Sequence, residues 1–343
     1  MPSITLRELA ALAGCSHATV SLALRKHPRI SAETRERILK LARETGYSRD
    51  PVVASLMTQL RTTKRNRSFE KIALLSYWDT PDAWRTSPHD TTGFQGACSR
   101  AAELGYEIEE FWGKAPGITS QRLSKILHTR GIRGLIVGPL PRPWGHVSLN
   151  WTHFAAVAIG NTVVRPGLHR VIHSQSQGMS LALRSLKHQG YERIGFTSLI
   201  DQSRRVNQGW LAAYLLHSFE QPAKLRVPPL ILKSWNREEY RRWLEKHKPD
   251  AIVSNYDVPL HFLSDLGLRV PEDMAFASLD RMHETDPYAG IDQLRGKMFG
   301  AAVDLLVSLI EGNQFGLSEH PKIVHFEGVW KAGPTVKKKI AVS

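Results

Sequence analysis

The chain has 343 residues, 42% hydrophobic and 23% charged, which excludes disordered and fibrous classes and leaves room for two or three domains. Lys and Arg outnumber Asp and Glu by 46 to 32, and the net charge of +14 points to an anionic partner such as nucleic acid or an anionic membrane. Two cysteines, Cys15 and Cys98, cannot build a multi-bridge framework, and no apolar run approaches the ~18 residues of a membrane span.

The first 67 residues hold 13 Lys/Arg against five acids, a net +8 that marks a separate N-terminal module. Its opening, "MPSITLRELA", lacks the apolar core of a secretory signal, so both thiols are expected to be reduced and the chain cytoplasmic. Thr5 and Glu8 have the spacing of a capping box. Leu6, Leu9, Ala10 and Ala13 then give one apolar face, and Gly14 supplies a turn. Ser16 is a good N-cap for a second helix with Val20, Ala23 and Leu24 inward and His17, Ala18, Ser21 and Leu22 outward. A third helix starts at Ser31, turns Ile38, Leu41 and Ala42 inward, and stops at Gly46. Two short helices around a Gly turn with a third across them make a helix-turn-helix domain over residues 1–49. The small outward face of helix 2 suits a major groove about 12 Å wide. A three-helix bundle with a protein-binding face is the alternative.

Residues 50–69 follow as a hinge helix and basic linker. Asp50 and Pro51 suit the start of a helix, Val52, Val53, Leu56 and Met57 have little to bury them, and Arg61, Lys64, Arg65 and Arg67 follow without an acid. So short a helix is marginal alone and is expected to form when paired on DNA, with Leu56 suited to a minor-groove step. A solvated linker is the alternative.

From Lys71 onward short apolar strands alternate with amphipathic helices, the βαβ rhythm of parallel sheets covered by helices. "KIALLSYW", "YEIEEFW", "GLIVGPL" and "FAAVAIG" form one set of strands; "RIGFTSL", "LILK", "AIVSN" and "MAFASLD" form a second. Helices are expected near 93–104, 120–130, 176–189, 236–247 and 258–266. An internal echo, "AAELGYEIEEF" against "LKHQGYERIGF", suggests two similar lobes. Two lobes leave a cleft beside the carboxyl ends of their strands. Tyr77, Trp78, Asp79, Asn161, Asn255, Asp257 and Asp280 stand just after those ends. Rings beside carboxylates and amides suit a polyhydroxylated ligand, although any one of these residues could simply cap a strand or turn.

Taken together, "ITLRELAALAGCSHATVSLAL", "ISAETRERILKLARETGY" and a hinge with Leu56 resemble the lactose-repressor (LacI/GalR) family over residues 4–56. The resemblance implies that helix 2 reads DNA and that Leu56 levers the centre of a pseudo-palindromic operator. It also implies phosphate contacts from Thr5, Ser16, Thr19 and Ser21; Ser31 and Tyr47 match the same motif. The family often has Arg where Leu22 stands, and Leu22 suits a thymine methyl instead. The hinge reads Asp50-Pro51-Val52-Val53-Ala54 where the family usually has Asn-x-x-Ala-Arg.

The resemblance continues more loosely to about residue 335. It implies a two-lobed effector domain over 70–343, similar to periplasmic sugar-binding proteins, with crossovers near 172–174, 291–294 and 325–328. Lobe 1 then spans about 70–172 and 294–325, and lobe 2 about 174–291 and 327–335. "VSNYD" and "ASLD" place Asn255 and Asp280 in the cleft. The family's Arg three residues before a Gly-aromatic pair is Val206 here, with Arg204 and Arg205 as candidate substitutes. Trp330, in "FEGVWKAGPT", finds no role.

The sequence carries no phosphate loop, no G-x-G-x-x-G after a strand, no H-E-x-x-H and no G-x-S-x-G. No cofactor or metal is expected, and the His169 and His173 pair reads as strand. The expectation is a homodimeric, ligand-regulated transcription factor, a repressor that binds double-stranded operator DNA and senses a carbohydrate. The rivals are an architectural DNA-binding protein without effector and a carbohydrate-acting enzyme with a DNA-binding appendage.

Overall fold

The computed structural model describes residues 4, 6–24, 27, 30–45, 47, 70–86, 88–281 and 287–339. Thr5, Leu56, the 50–69 hinge and linker, and the side chains of His17 and Ala18 lie outside the described residues.

The N-terminal domain is built from α1 (Leu6–Leu12), α2 (His17–Leu24) and α3 (Ala32–Glu44). Between α1 and α2, Gly14 takes φ +61, the left-handed conformation a glycine adopts without penalty. The Gly14 N–H donates to Ala11 O and the Cys15 N–H to Ala10 O, which closes α1 with a paired C-terminal cap. Ser16 Oγ accepts from the Thr19 N–H at 3.1 Å, and Ser31 Oγ accepts from the Thr34 N–H at 3.2 Å, so both hydroxyls cap a helix. Leu9, Ala10, Ala13, Val20, Ala23, Ile38 and Ala42 share one small core.

The rest of the chain forms two α/β lobes. In chain order the elements are β1 (Glu70–Ser76), α4 (Pro88–Glu103), β2 (Tyr106–Trp112), α5 (Ser120–Thr129), β3 (Gly134–Val137), β4 (Gly145–His146), β5 (Ala155–Ile159), β6 (Val163–Arg165) and β7 (His169–His173). Then come α6 (Gln175–His188), β8 (Ile194–Leu199), α7 (Ile200–Arg205), α8 (Gly209–Glu220), β9 (Leu230–Leu232), α9 (Arg237–His247), β10 (Ala251–Ser254), α10 (Val258–Asp265) and β11 (Ala275–Ser278). Last are β12 (Ala289–Asp292), α11 (Arg295–Glu311), β13 (Ile323–Phe326) and β14 (Val329–Lys331).

One sheet has the order β13-β7-β5-β3-β1-β2 and is parallel throughout. The other has the order β14-β12-β11-β10-β8-β9, parallel except where β14 runs antiparallel to β12. The chain passes between the sheets after β7, after β12 and after β13. Strand alternation separates the cores. Ile72, Leu74, Ile136 and Val157 meet α4 and α11, while Ala73, Leu75, Leu135 and Val137 face the side with Leu123 and Leu127 of α5. In the second lobe Phe196, Val253 and Ala277 pack with α6 and α8, and Ile252 and Phe276 pack with Tyr240 and Trp243 of α9.

The two sheets repeat one winding, in which β1 and β8 hold equivalent places beside the edge strands β2 and β9. The sequence echo instead aligns β2 with β8, which are not equivalent. It arises because Gly105 and Gly190 both end a helix at positive φ before a strand, a local cap and not a repeated unit. Trp330 on β14 pairs in register with Ile291 and packs on the second-lobe core. Contacts of this lobe run on past residue 335: the Tyr191 hydroxyl donates to Lys337 O, and the Lys339 N–H donates to Gln189 O.

Candidate DNA-reading face and interlobe cleft

On α2, Val20 and Ala23 are fully buried, and Thr19, Ser21 and Leu22 are half-buried on the other side of the helix. The Ser16 hydroxyl is tied to Thr19 through both its backbone N–H and its Oγ1, at 2.8 Å to the latter. Ser31 donates from its hydroxyl to Thr34 Oγ1 at 2.8 Å. Tyr47 packs against the domain core, and its N–H donates to Ala42 O. Arg37, Lys40 and Arg43 on α3 are exposed, and Arg37 reaches Cys15 Sγ at 3.4 Å. Fixed hydroxyls, small residues and nearby cations make a face that can approach a polyanion closely.

The second cluster lies at the carboxyl ends of the strands. After β1, Tyr77 turns into the core beside Phe111 and Ile118, and burial pushes its phenol up to about 12. Trp78 lines a small apolar cavity, and Asp79 pairs with Lys114 at 2.7 Å on the surface. Asn161 is half-buried after β5, beside Thr162, whose Oγ1 accepts from the Leu140 N–H at 2.8 Å.

In the second lobe Asn255 is buried and accepts from the Ser198 hydroxyl at 2.7 Å. Asp257 opens α10 without a side-chain capping bond. Asp280 forms an ion pair with Arg295 at 2.5 Å, and Gln293 donates to Leu279 O at 3.0 Å. His173 is buried nearby, with neither ring nitrogen hydrogen-bonded among the described residues.

Arg204 and Arg205 face the opposite lobe. Arg205 Nη1 donates to Leu140 O at 2.5 Å and to Pro141 O at 2.8 Å. The Arg204 guanidinium lies 5.2 Å from the Trp144 ring centroid, in cation–π range. α7 thus clamps the loop that follows β3. Tyr256 stands between the clamp and Asp280: burial pushes its phenol up, against Arg205 and a hydrogen bond from Gln202, which lower it.

Several residues of this region were absent from the sequence expectations. Trp235 follows β9 and meets Tyr256 edge-on at 5.9 Å, so the strand-end rule that singled out Trp78 also reaches it. Trp84 and Phe94 have no period to reveal them, and Phe299 reads as an ordinary helix-core residue; all three line the cavity. Among the described residues no group of three or more His, Cys, Asp or Glu is arranged to hold a metal, and no helix is long and apolar enough to cross a membrane.

Residues 5–50 match the family model described as bacterial regulatory proteins, lacI family. Over 292 residues the chain is 24% identical to the NTD biosynthesis operon regulator NtdR of Bacillus subtilis (strain 168), covering 80% of this chain and 82% of that one. A solved complex of the transcriptional regulator CelR with cellobiose is similar at TM-score 0.55 and 21% identity, over 97% of this chain and 99% of that one. The lac repressor dimer bound to operator and the anti-inducer ONPF is similar at TM-score 0.56 and 18% identity, over 98% and 100%.

Proposed function

Because residues 5–50 match the lacI family of bacterial regulatory proteins, we propose that the chain is a ligand-regulated repressor that acts as a homodimer in the cytoplasm. The observation that carries this reading is α2: capped at Ser16, seated on α1 and α3 by Val20 and Ala23, with Ser21 and Leu22 left on the outer side. Two copies occupy successive major grooves of a pseudo-palindrome, with the 50–69 segments between them near the minor groove. Ser16, Thr19, Ser21, Ser31 and Tyr47, with Thr5, position the helix on phosphates. His17, Ala18 and Leu22 meet base edges, and Leu56 enters the central step.

The effector is a carbohydrate or related metabolite held in the interlobe cleft and released unchanged. CelR was solved with cellobiose and the lac repressor as a dimer on its operator, which supports both halves of this reading. Trp78, Asn161, Asn255, Asp257 and Asp280 serve the cleft, Tyr77 buttresses it, and Asp79 stays on the surface with Lys114. Arg204 and Arg205 tie its two walls. A ligand that favours one lobe angle shifts operator affinity by its differential affinity for the two shapes, ~1–3 kcal/mol.

The test is footprinting of the purified protein on genomic fragments. A palindromic site is expected, with affinity falling ~10³–10⁵ between 50 and 200 mM salt for 6–10 phosphate contacts. Leu22→Asn changes base preference at one symmetric pair of positions by about tenfold, the cost of ~1–3 kcal/mol for a wrong base pair. A protein that protects no fragment, or whose preference ignores Leu22→Asn, refutes the assignment.

A further inference from the structure

From Gly209 to Phe219 α8 carries no Asp, Glu, Lys or Arg, and its apolar residues surround the helix instead of keeping to one side. Such a helix belongs in an interior. One face does reach one: Trp210 and Tyr214 are buried, and Leu211 and Ala213 are half-buried on the second-lobe core. The opposite face carries Ala212, Leu215, Leu216 and Phe219, at i, i+3, i+4 and i+7, and it is bare. Leu215 is 47% exposed, Leu216 61% and Phe219 75%. A single surface leucine is ordinary, whereas a contiguous patch on the order of a few hundred Å² is often functional. Cations frame the stripe. The Arg226 guanidinium lies 5.9 Å from the Phe219 ring centroid, held by bonds from Nε to Gln221 O and from Nη2 to Phe219 O, both at 2.9 Å. Lys187 of α6, the helix packed alongside, donates to Gln221 Oε1 at 2.8 Å. Arg184 is exposed one turn before it, and Lys224 is exposed in the loop after α8. Over α6 and residues 209–232 these four cations face a single acid, Glu220.

We infer that this face of α8 docks an acidic amphipathic helix of another protein. The partner's apolar residues lie along Ala212, Leu215, Leu216 and Phe219, and its carboxylates meet Arg184, Lys187, Lys224 and Arg226. A second copy of this chain offers the same stripe but brings the same four cations to the contact. The stripe is two turns long, enough for one helix contact and short for holding a bilayer, where binding scales with buried apolar area. The face belongs to the second lobe, so the inference stands apart from the reading of DNA and from the cleft ligand.

The test uses the full chain and two fluorescent peptides of about four helical turns, both held helical by a side-chain staple. One has Leu along one face and Glu elsewhere; the other has Lys in place of every Glu. By anisotropy the Glu peptide is expected to bind the wild type at least about tenfold more tightly than the Lys peptide. The double variant Leu216→Ser with Phe219→Ser removes the apolar anchors and weakens the Glu peptide by about tenfold or more, with melting unchanged because both side chains are exposed. Arg184→Glu weakens the Glu peptide by roughly 3-fold, the scale of one rim charge pair. Binding of the Glu peptide that ignores the double variant comes from basic surface elsewhere, such as the N-terminal domain, and overturns the inference, as does equal binding of the two peptides. A lower sedimenting mass in the double variant assigns the face to a second copy of the chain instead. Wild-type binding to vesicles of phosphatidylcholine and phosphatidylglycerol that the double variant loses assigns it to a bilayer; either result overturns the inference.

Discussion

At the scale of single residues, His173 shows how burial sets a property that its neighbours in sequence do not. It ends β7, where the chain leaves the first sheet, and burial pushes its imidazole down to about 4. Asp280 and Asp292 oppose that shift, and Arg295 adds to it. The unfolded chain takes up this proton as pH falls through 6.5, and the folded chain does not until about 4. His173 therefore leaves stability intact above pH 6.5 and costs about 1.4 kcal/mol per pH unit as pH falls toward 4. Between pH 7 and pH 5 the wild type is expected to lose about 2 kcal/mol more than His173→Gln, measured by urea denaturation. Parallel losses in the two proteins would assign the pH sensitivity to other groups. The sequence placed His169 and His173 on one face of a strand, but desolvation depends on what covers that face.

At the scale of elements, the pairing of α4 with α11 is the decisive contact of the first lobe. Gly96 on α4 lies directly against the backbone of Gly296 on α11, and Gly93 lies under the Phe299 ring. A methyl group at residue 96 has no space, because the obstacle is main chain and not a side chain that can turn aside. Gly96→Ala gains about 1 kcal/mol in helix propensity. Overpacking against backbone costs about 3 kcal/mol or more, so the packing loss wins. Thermal melting is expected to fall by ~5 °C or more. Gly178→Ala on α6 serves as the control: its new methyl meets Ile291 at an ordinary 3.7 Å and is tolerated. Equal melting of the two variants would refute close helix approach. Most elements were readable beforehand, because Val, Ile, Leu and Ala runs bounded by Gly mark buried parallel strands. Each of the eight strands named from sequence overlaps a strand of the structure. The partner of α4 was not readable, since Gly96 and Gly296 are 200 positions apart and a glycine carries no pattern of its own.

At the scale of the whole molecule, two lobes are joined by three crossings, and Arg205 is, with Arg204, a group that resists a change of angle between them. Its bonds to Leu140 O and Pro141 O join α7 to the loop after β3. Half-exposed and charge-assisted, they contribute about 1–2 kcal/mol together. Arg205→Ala is expected to open the cleft, raising the radius of gyration of the unliganded protein in small-angle scattering, and Arg205→Lys restores part of the effect. A scattering curve unchanged by Arg205→Ala would mean that the Arg205 bonds do not set the angle. By itself the sequence determined the three N-terminal helices, their caps and the outward face of α2, because each of these depends on residues within about ten positions of each other. It also determined the α/β class and most of the strands, through local apolar runs. Only the tertiary structure decided that Arg205 is a clamp, that Asp79 belongs to the surface, and that Trp84, Phe94 and Phe299 surround one cavity. Those roles depend on which distant segments the sheets bring within a few ångströms, and no spacing along the chain records that.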